Sequence, residues 1–399
     1  MGWLGLDDTD SLGGGCTTAT FHALLEHLPD DVRTGVPRLV RLWPFARRRT
    51  RGNAALAVEL HCEDEGALLA HLEAWWENHI APLAGARSPS HISDRPQSAT
   101  SPGMVYYAHQ PEEEFYWKAV RGEVHVSDIP TPDREWGVHG RIGAAAAAAW
   151  PALTSTWEAI AWRTQEAAER HREIDINALE EVDVRDGVVF SRDPRNGNSL
   201  VAPRGRSPVL FGVRATSFEA AEHACRHLVA APNTEAVVAW RVFQTNQASG
   251  DHLPPPCHLR VVAVETHPSR KHAHVRTDGP TVVAYAEGGP VNALARWLSA
   301  GDVICVAGLH HPDGTLHAER LMVESWEART FQRPRCGACQ VRLKSMGKGQ
   351  GLRCPSCKTR SEDRWEDVHV EPPFIGWVEP PVDARRHLAR PLSWEDGLP

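Results

Sequence analysis

The first eighteen residues constrain the fold and the chemistry of this chain more than any other stretch. An apolar run at residues 3–6 is typical of a buried strand, and three carboxylates follow it within four positions, at Asp7, Asp8 and Asp10. A glycine-rich turn then leads into an apolar-periodic helix over residues 19–28. The pattern predicts a polar site at the end of a strand, directly before a helix.

The residue types in this stretch indicate a nucleotide site. Carboxylates gathered this closely repel one another, and Mg²⁺ with substrate phosphates would relieve the repulsion. Gly13, Gly14 and Gly15 let the backbone turn N–H groups toward an anion. Thr17 and Thr18 supply hydroxyls that can contact or accept a phosphate. A turn, a loop and a helix N-cap would use the same residues, so both interpretations stay open here.

An arginine-rich loop is the second candidate for phosphate contact. Strands predicted at 37–42 and 54–60 flank the sequence Ala-Arg-Arg-Arg-Thr-Arg-Gly-Asn at 46–53. Arg51 and Asn53 lie at its end, and guanidinium groups beside a Gly-Asn turn suit the phosphates of ATP or of RNA. The alternative is a solvated hairpin loop.

Strand and helix patterns divide the 399 residues into several domains. Residues 1–130 alternate strands and helices, which predicts an α/β domain. Residues 131–255 predict a ferredoxin-like α+β domain, from the order strand, strand, helix, strand. Five short strands and a helix at 256–330 predict an OB-fold β-barrel that binds single-stranded nucleic acid, although a small SH3-like barrel has a similar pattern. The fold class is therefore multidomain α+β.

Two C-x-x-C motifs predict a zinc ribbon at residues 331–372, followed by a C-terminal tail at 373–399. Cys336, Cys339, Cys354 and Cys357 have the spacing of a tetrahedral Zn²⁺ site, and so small a segment needs the metal to fold. A redox dithiol pair is the weak alternative, since no thioredoxin-like βαβ pattern surrounds them. The odd cysteine total of nine, without a secretory signal or a long apolar run, predicts a cytoplasmic protein with no membrane partner.

Basic residues are concentrated around these cysteines although the formal net charge is −8. No acidic residue occurs between positions 329 and 361. Such local segregation of charge is typical of a nucleic-acid contact. The predicted contact residues, including a second basic group in the tail, are Arg335, Arg342, Lys344, Lys348, Arg353, Arg385 and Arg386.

Several motifs together resemble those of the archaeal tRNA agmatinylcytidine synthetase family. The first is the opening Gly-x-Asp-Asp-Thr-Asp-Ser-x-x-Gly-x-Cys-Thr-Thr at residues 5–18. The others run colinearly to the end of the chain: Thr-Arg-Gly-Asn at 50–53, Pro-Val-Leu-Phe-Gly-Val-Arg at 208–214, Thr-Asn-Gln at 245–247, Lys-Ser-x-Gly-Lys-Gly-Gln-Gly-x-Arg-Cys at 344–354 and Ala-Arg-Arg-His-Leu at 384–388.

The resemblance implies an unusual kinase-like N-terminal domain followed by ferredoxin-like, OB-fold and zinc-ribbon domains. It implies that ATP activates the wobble cytidine of the CAU-anticodon isoleucine tRNA by phosphorylating its C2 carbonyl oxygen. The primary amine of agmatine then displaces that phosphate, and the tRNA reads AUA. Asp7, Asp8 and Asp10 would hold Mg²⁺ and the triphosphate. Thr17 matches the autophosphorylated threonine of the family, and Thr18 is its neighbour.

Agmatine carries two cationic ends, so its pocket should contain carboxylates. The candidates are Glu158, Asp175, Asp183 and Asp193, each of which also fits an ordinary surface acid. Two other functions stay open at this point. One is a non-catalytic nucleic-acid-binding protein in which the N-terminal domain is a scaffold, and the other is a tRNA-modifying ligase that uses a different amine.

Overall fold

The computed structural model describes residues 1–11, 14–49, 53–86, 98–203, 205, 207–362, 365–368 and 370–395. The chain forms two compact units. The first contains Met1–Pro254 and the returning segment Pro381–Pro399, and the second contains Pro255–Pro380. Among the described residues, no helix is both long enough and apolar enough to span a bilayer.

The first unit is built on one ten-stranded sheet with six α-helices. The helices are α1 (Thr17–Glu26), α2 (Glu65–Trp75), α3 (Glu114–Arg121), α4 (Gly140–Ala149), α5 (Ile176–Asp183) and α6 (Phe218–Ala230). The strands are β1 (Gly2–Asp7), β2 (Arg33–Thr34), β3 (Arg38–Arg41), β4 (Ala54–His61), β5 (Gly103–Tyr107), β6 (Arg134–Gly137), β7 (Thr156–Trp162), β8 (Val188–Val189), β9 (Val209–Ala215) and β10 (Ala239–Thr245).

The sheet is continuous across the two domains predicted for residues 1–130 and 131–255. Its order is β6-β5-β1-β4-β3-β10-β7-β9-β8, and β2 pairs with β4 beside this path. The two halves meet where β3 and β10 pair in parallel, with Arg38 opposite Gln244 and Leu39 opposite Thr245. Every other pair of neighbours along this path is antiparallel. The two halves therefore share backbone hydrogen bonds as well as side-chain contacts.

The alanine-rich helix α4 lies against the first half of the sheet. Its six consecutive alanines are buried with Trp3, Val40 and Val105 in one core. The helix approaches β1 so closely that a Cβ atom on Gly5 would lie 2.2 Å from the carbonyl oxygen of Ala144. The close packing that the run of alanines predicts is thus present. Both β6 and α4 belong to this half, although they lie in the range 131–255.

The second half of the sheet has its own core between β7, β9 and two helices. Phe211 and Val213 of β9 are buried there with Leu228 of α6 and Val182 of α5. Two boundaries differ from the sequence prediction. The last strand, β10, covers Ala239–Thr245 where 235–243 was expected, and the helix predicted for 64–80 continues beyond α2 as a π-helical turn, Trp76–Ile80.

The second unit holds a small closed barrel and the cysteine-rich segment. The barrel order is β11-β12-β13-β15-β14, and the helix α7 (Pro290–Trp297) contributes Val291 and Leu294 to its core. The barrel strands are β11 (Cys257–Thr266), β12 (Ala273–Thr277), β13 (Val282–Ala284), β14 (Val303–His310) and β15 (Leu316–Ser325). The strands of the cysteine-rich segment are β16 (Thr330–Gln332), β17 (Lys344–Ser345), β18 (Leu352–Arg353), β19 (Arg360–Ser361) and β20 (Glu366–Val368).

The junction between β3 and β10 is continued by the side chain of Asn246. Its Oδ1 accepts a hydrogen bond from the Arg41 backbone N–H at 2.7 Å, and its Nδ2 donates to the Arg41 carbonyl oxygen at 2.9 Å. Nδ2 also donates to the Tyr116 hydroxyl at 2.9 Å. The carboxamide therefore extends the strand pairing by one position and ties α3 to it.

Replacing Asn246 with alanine should destabilise the first unit. Three buried hydrogen bonds are lost and their backbone partners stay buried, which we expect to lower the free energy of unfolding by about 3 kcal/mol. The shift of the urea midpoint measures this effect. The control is Asn177→Ala on the exposed face of α5, which should change the midpoint little, and an equal shift in both variants would contradict this role of Asn246.

Candidate active site

A cavity of about 1110 Å³ lies in the first unit. Four parts of the sequence line it: the end of β1 with the start of α1, the loop after β3, the strands β7 and β9, and the returning tail. The predicted carboxylate and hydroxyl residues Asp7, Asp8, Asp10, Thr17 and Thr18 all line this cavity.

The three carboxylates are held at the end of β1 by local backbone geometry. Asp7 Oδ1 accepts a hydrogen bond from the Asp8 N–H at 2.7 Å, and Asp8 Oδ2 accepts one from the Ser101 N–H at 2.9 Å. Asp8 has φ +56°, in the left-handed region that Asp and Asn tolerate better than most residues. Burial, followed by the negative charges of Asp8 and Asp10, raises the pKa of Asp7 well above its usual value. A bound cation would offset this repulsion.

Helix α4 supports the carboxylates from behind through two glycines. A Cβ atom on Gly143 would lie 1.9 Å from Asp7 Oδ2, and one on Gly140 would lie 2.6 Å from the Asp7 carbonyl oxygen. No larger side chain fits between this helix and the end of β1 unless one of them moves. The position of Asp7 therefore depends on the absence of a side chain at Gly143.

The two threonine hydroxyls lie in the first turn of α1. Thr17 Oγ1 accepts a hydrogen bond from the Thr9 N–H at 3.4 Å, and Thr18 Oγ1 accepts one from Trp162 Nε1 at 3.1 Å. Cys16 occupies the N-cap position, where its side chain makes no capping hydrogen bond. The helix N-terminus thus faces the carboxylate cluster without a capping side chain, an arrangement that suits an anion.

The residues predicted to bind ATP are placed in two different ways. Gly14 pairs with Ser11 in a tight turn, and Gly15 has φ +77°, a conformation that favours glycine. Neither glycine is among the described residues that line the cavity, whereas Asn53 is. Asn53 Nδ2 donates to the Trp43 carbonyl oxygen at 2.7 Å and so closes the arginine-rich loop. Gly13 and Arg51 lie outside the described residues.

A charged network forms another wall of the cavity. Glu158 on β7 is paired with Arg41 at 3.6 Å and with Arg214 at 3.8 Å, and Gln247 Nε2 donates to the same carboxylate. His387 from the tail contacts Gln247 Oε1 at 3.2 Å. The positive charge of Arg41, with burial and Arg214, lowers the pKa of His387 well below its usual value. Sequence reasoning assigned no function to Arg41, Arg214 or His387.

The four acids predicted for agmatine have different environments. Asp175 caps α5 by accepting hydrogen bonds from Asn177 N–H and Ala178 N–H, and Asp183 accepts one from Ser191, so both have structural roles. Only Glu158 and Asp193 of the four line the cavity. Asp193 is paired with Arg195 at 2.8 Å. The same guanidinium group also pairs with Asp383 of the tail, which lines the cavity as well.

Two residues predicted to bind tRNA lie in this cavity. Arg385 and Arg386 come from the returning tail and line the wall near the arginine-rich loop. The guanidinium of Arg386 lies over the Phe45 ring, 4.9 Å from its centroid. The tail backbone is held by hydrogen bonds from Ala248 N–H and Gly250 N–H to carbonyl oxygens of His387 and Leu388. Sequence reasoning did not predict that these arginines would lie beside the carboxylate site.

The four predicted zinc ligands converge in the second unit. Cys336, Cys339, Cys354 and Cys357 have ligand atoms that all lie within 4.8 Å of one another. Individual Sγ–Sγ distances are 3.4, 3.2 and 3.7 Å. A tetrahedral Zn²⁺ with bonds of about 2.3 Å would separate its thiolates by about 3.8 Å. The four thiols therefore fit a structural zinc ion.

The predicted basic residues of this segment lie on its surface. Arg335, Arg342 and Lys348 are exposed, as are Lys344 and Arg353, which face each other across β17 and β18. Arg353 in turn faces Arg360 across β18 and β19. Like charges opposite one another destabilise a sheet, so this three-residue row suits an anionic partner.

Fold and site together define a multidomain α+β protein with a zinc ribbon, a small closed barrel and a large polar cavity. Family models match three segments of the chain: the TiaS TCKD domain at residues 3–67, the TiaS FLD domain at 139–252 and the TiaS C-terminal zinc ribbon domain at 333–371. The chain belongs to the TiaS family.

Relatives match along the whole chain. The tRNA 2-agmatinylcytidine synthetase TiaS of Methanopyrus kandleri, an enzyme named for an isoleucine tRNA, is 30% identical over 433 aligned positions, which cover 98% of this chain and 96% of the relative. The protein of the same name from Methanosarcina mazei is also 30% identical, covering 98% and 97%. The solved complex of TiaS with the isoleucine tRNA and ATP superposes with a TM-score of 0.79 at 27% identity, covering 98% and 97%.

Loss of one ribbon cysteine should release the metal. In Cys354→Ser we expect the zinc content to fall from about one equivalent per chain to well below it, because a hydroxyl is a poor ligand for Zn²⁺ in a thiolate site. Elemental analysis of the purified protein measures the content. Cys225→Ser, at a buried thiol of α6 outside the ribbon, is the control and should keep its zinc. Full zinc retention in Cys354→Ser would contradict the assignment of this ligand.

Proposed function

We propose that this chain is an ATP-dependent ligase that joins agmatine to C2 of the wobble cytidine in the CAU-anticodon isoleucine tRNA. The observation that carries the proposal is the cavity in which a carboxylate cluster, two hydroxyls at a helix N-terminus and several arginines meet. The relatives that match the chain over almost its full length carry the corresponding enzyme name.

The nucleotide end of the cavity is the carboxylate cluster. We assign Asp7, Asp8 and Asp10 to a Mg²⁺ ion, since the raised pKa of Asp7 reflects a concentration of negative charge that a cation would relieve. The metal would neutralise the charge that develops on the phosphates during transfer. The first turn of α1 directs N–H groups toward the same anion, and Asn53 holds the neighbouring loop closed.

The reaction then consists of two transfers. The cytidine C2 carbonyl oxygen takes the γ-phosphoryl group of ATP, and ADP leaves. The uncharged primary amine of agmatine attacks C2, the C2–O bond breaks, inorganic phosphate leaves and the amine loses a proton. Phosphorylation is needed because the carbonyl oxygen is a poor leaving group. Thr17, the counterpart of the autophosphorylated threonine, lies in the same cavity as the carboxylates.

The tail end of the cavity is the best place for the cationic amine. Asp193 and Asp383 share the single guanidinium of Arg195, so their combined charge exceeds that of their partner. Glu158 is flanked by two arginines and is already neutralised. We therefore assign the guanidinium end of agmatine to Asp193 with Asp383 rather than to Glu158.

Topology supports more specific names for the domains. Residues from β7 to β10 follow the sequence β-α-β-β-α-β with the spatial order β10-β7-β9-β8, which fits a ferredoxin-like fold. The barrel of five strands with α7 between the third and fourth fits an OB fold. We assign the phosphoryl-transfer chemistry to a kinase-like domain at 1–130, keep the remaining limits at 131–255, 256–330, 331–372 and 373–399, and expect a cytoplasmic protein.

Asp8→Asn tests the metal assignment with little change in structure. Asparagine tolerates the left-handed backbone conformation and can still accept the Ser101 hydrogen bond, so the variant loses mainly the charge. We expect ATP- and wobble-dependent incorporation of radiolabelled agmatine to fall at least about 100-fold, as is typical when electrostatic stabilisation of a transfer is removed. Asp133→Asn is the control, because that carboxylate accepts a backbone N–H at 2.7 Å and is not among the residues that line the cavity.

The wild-type protein decides between the alternative functions in the same assay. ATP hydrolysis and tRNA binding without agmatine incorporation would indicate a ligase for another amine. Binding of tRNA without any hydrolysis would indicate a nucleic-acid-binding scaffold. Undiminished incorporation by Asp8→Asn would contradict the metal assignment alone.

Arg353→Ala tests the ribbon as an RNA contact. Arg353 is the middle of the basic row between Lys344 and Arg360, so its removal should weaken tRNA binding several-fold and reduce the slope of log Kd against log salt by about one. Filter binding over a salt series measures both values. Arg226→Ala, on exposed α6 and paired with Glu222, is the control. An unchanged slope would show that Arg353 contacts no phosphate.

A further inference from the structure

One face of α1 contacts the second half of the sheet through polar groups. Thr18, His22 and Glu26 are spaced four residues apart and so share this face. Trp162 Nε1 donates to Thr18 Oγ1 at 3.1 Å, and the Trp162 ring stacks on His22 with a centroid distance of 4.9 Å and an angle of 18°. Arg241 Nε donates to His22 Nδ1 at 3.0 Å and also pairs with Glu26. Two residues of β7 and β10 therefore bind three positions of the helix.

Trp162 is itself fixed from the other side. It is the last residue of β7 and only 3% exposed, and the pairing of β7 with β9 shifts register between Ala161 and Trp162. Such irregularities commonly redirect a side chain. Phe243 of β10 contacts the indole ring edge-on, at 6.4 Å and 87°. The indole is thus held between the sheet and α1, and it has little freedom to change rotamer.

The hydrogen bond from Trp162 has a defined direction. An indole N–H can only donate, so the Thr18 oxygen must be the acceptor. Arg241 likewise donates to His22, and burial, with the positive charge of Arg241, lowers the pKa of His22 and keeps the imidazole neutral. Both contacts fix the rotation of α1 about its axis, which packing alone would determine less sharply.

We propose that Trp162 is a positioning residue which, through Thr18 and His22, sets the rotation of α1 and thereby the direction of the Thr17 hydroxyl. Successive helical residues are about 100° apart, so a helix fixed at Thr18 presents Thr17 on the adjacent face. That face is where Thr17 Oγ1 meets the Thr9 N–H, next to the carboxylates. The proposal rests on the proposed function, because Thr17 matters only if phosphoryl transfer occurs in this cavity.

The contact also makes the phosphoryl-transfer half dependent on the other half. Glu158, Ile160 and Trp162 alternate along β7 onto one face; the first two line the cavity and the third holds α1. A displacement of β7 by RNA or amine bound near Glu158 would therefore reach Thr17 through one rigid strand.

Trp162→Phe is the direct test, because it keeps an aromatic ring against His22 and removes the N–H donor. The matched control is Trp157→Phe on the same strand, where the indole lies on the opposite face and contacts Phe218 edge-on at 5.5 Å. Each variant is assayed for the single-turnover rate of agmatine incorporation, the KM for ATP, the Kd for tRNA and the melting temperature.

We expect Trp162→Phe to lower the single-turnover rate about ten-fold, the size expected for one lost buried hydrogen bond, while KM and Kd stay within about two-fold. Trp157→Phe should keep the wild-type rate. In a Thr18→Val background, Trp162→Phe should cause almost no further loss, since both changes remove the same contact. A rate within two-fold of wild type for Trp162→Phe, or independent losses in the double variant, would overturn the proposal.

The outcome is separable from that of the proposed function. If wild-type protein hydrolyses ATP without incorporating agmatine, the proposed ligase activity fails. The hydrolysis rates of the same four proteins then decide the role of Trp162 by the same ratios. A ten-fold slower hydrolysis in Trp162→Phe, with the wild-type rate in Trp157→Phe, supports positioning, and equal rates contradict it.

Discussion

The parallel pairing of β3 with β10 is the interaction on which the first unit depends. It is short, with two pairs of opposed residues, and Asn246 extends it by bonding to both backbone groups of Arg41. Without this junction the sheet would be two separate sheets, and β7 would not lie where its side chains reach both Arg41 and α1. The cavity is therefore a product of strand pairing, and its charged walls come from both sides of one junction.

Charge distribution within the cavity follows from this arrangement. Three carboxylates lie close together at the end of β1, and their repulsion is recorded in the raised pKa of Asp7. Glu158 is neutralised between two arginines in the middle, and Asp193 with Asp383 leaves a negative excess at the tail end. A metal–triphosphate and a dication can thus be accommodated in one space without competing for the same groups.

The sequence predicted the parts of the site that are local and missed those that depend on distant contacts. The carboxylate and threonine cluster is contiguous, and the four cysteines have a spacing that is typical of metal sites, so both were predictable. Arg41 and Arg214 are strand residues whose partner Glu158 is far from either along the chain, and no periodicity indicates such pairing. The positions of Arg385 and Arg386 were missed because a tail after a separate unit carries no local sign of where it returns.

The return of the chain at Pro381 makes the second unit an insertion within the first. Residues that line the cavity, among them Asp383 and His387, are consequently synthesised only after the whole of the barrel and the ribbon. A nascent chain that stops before this return would contain the carboxylates and the threonines and still have an incomplete cavity. The order of the chain thus delays completion of the site until both RNA-binding candidates have been made, so that ATP-consuming chemistry and tRNA recognition arise together in one molecule.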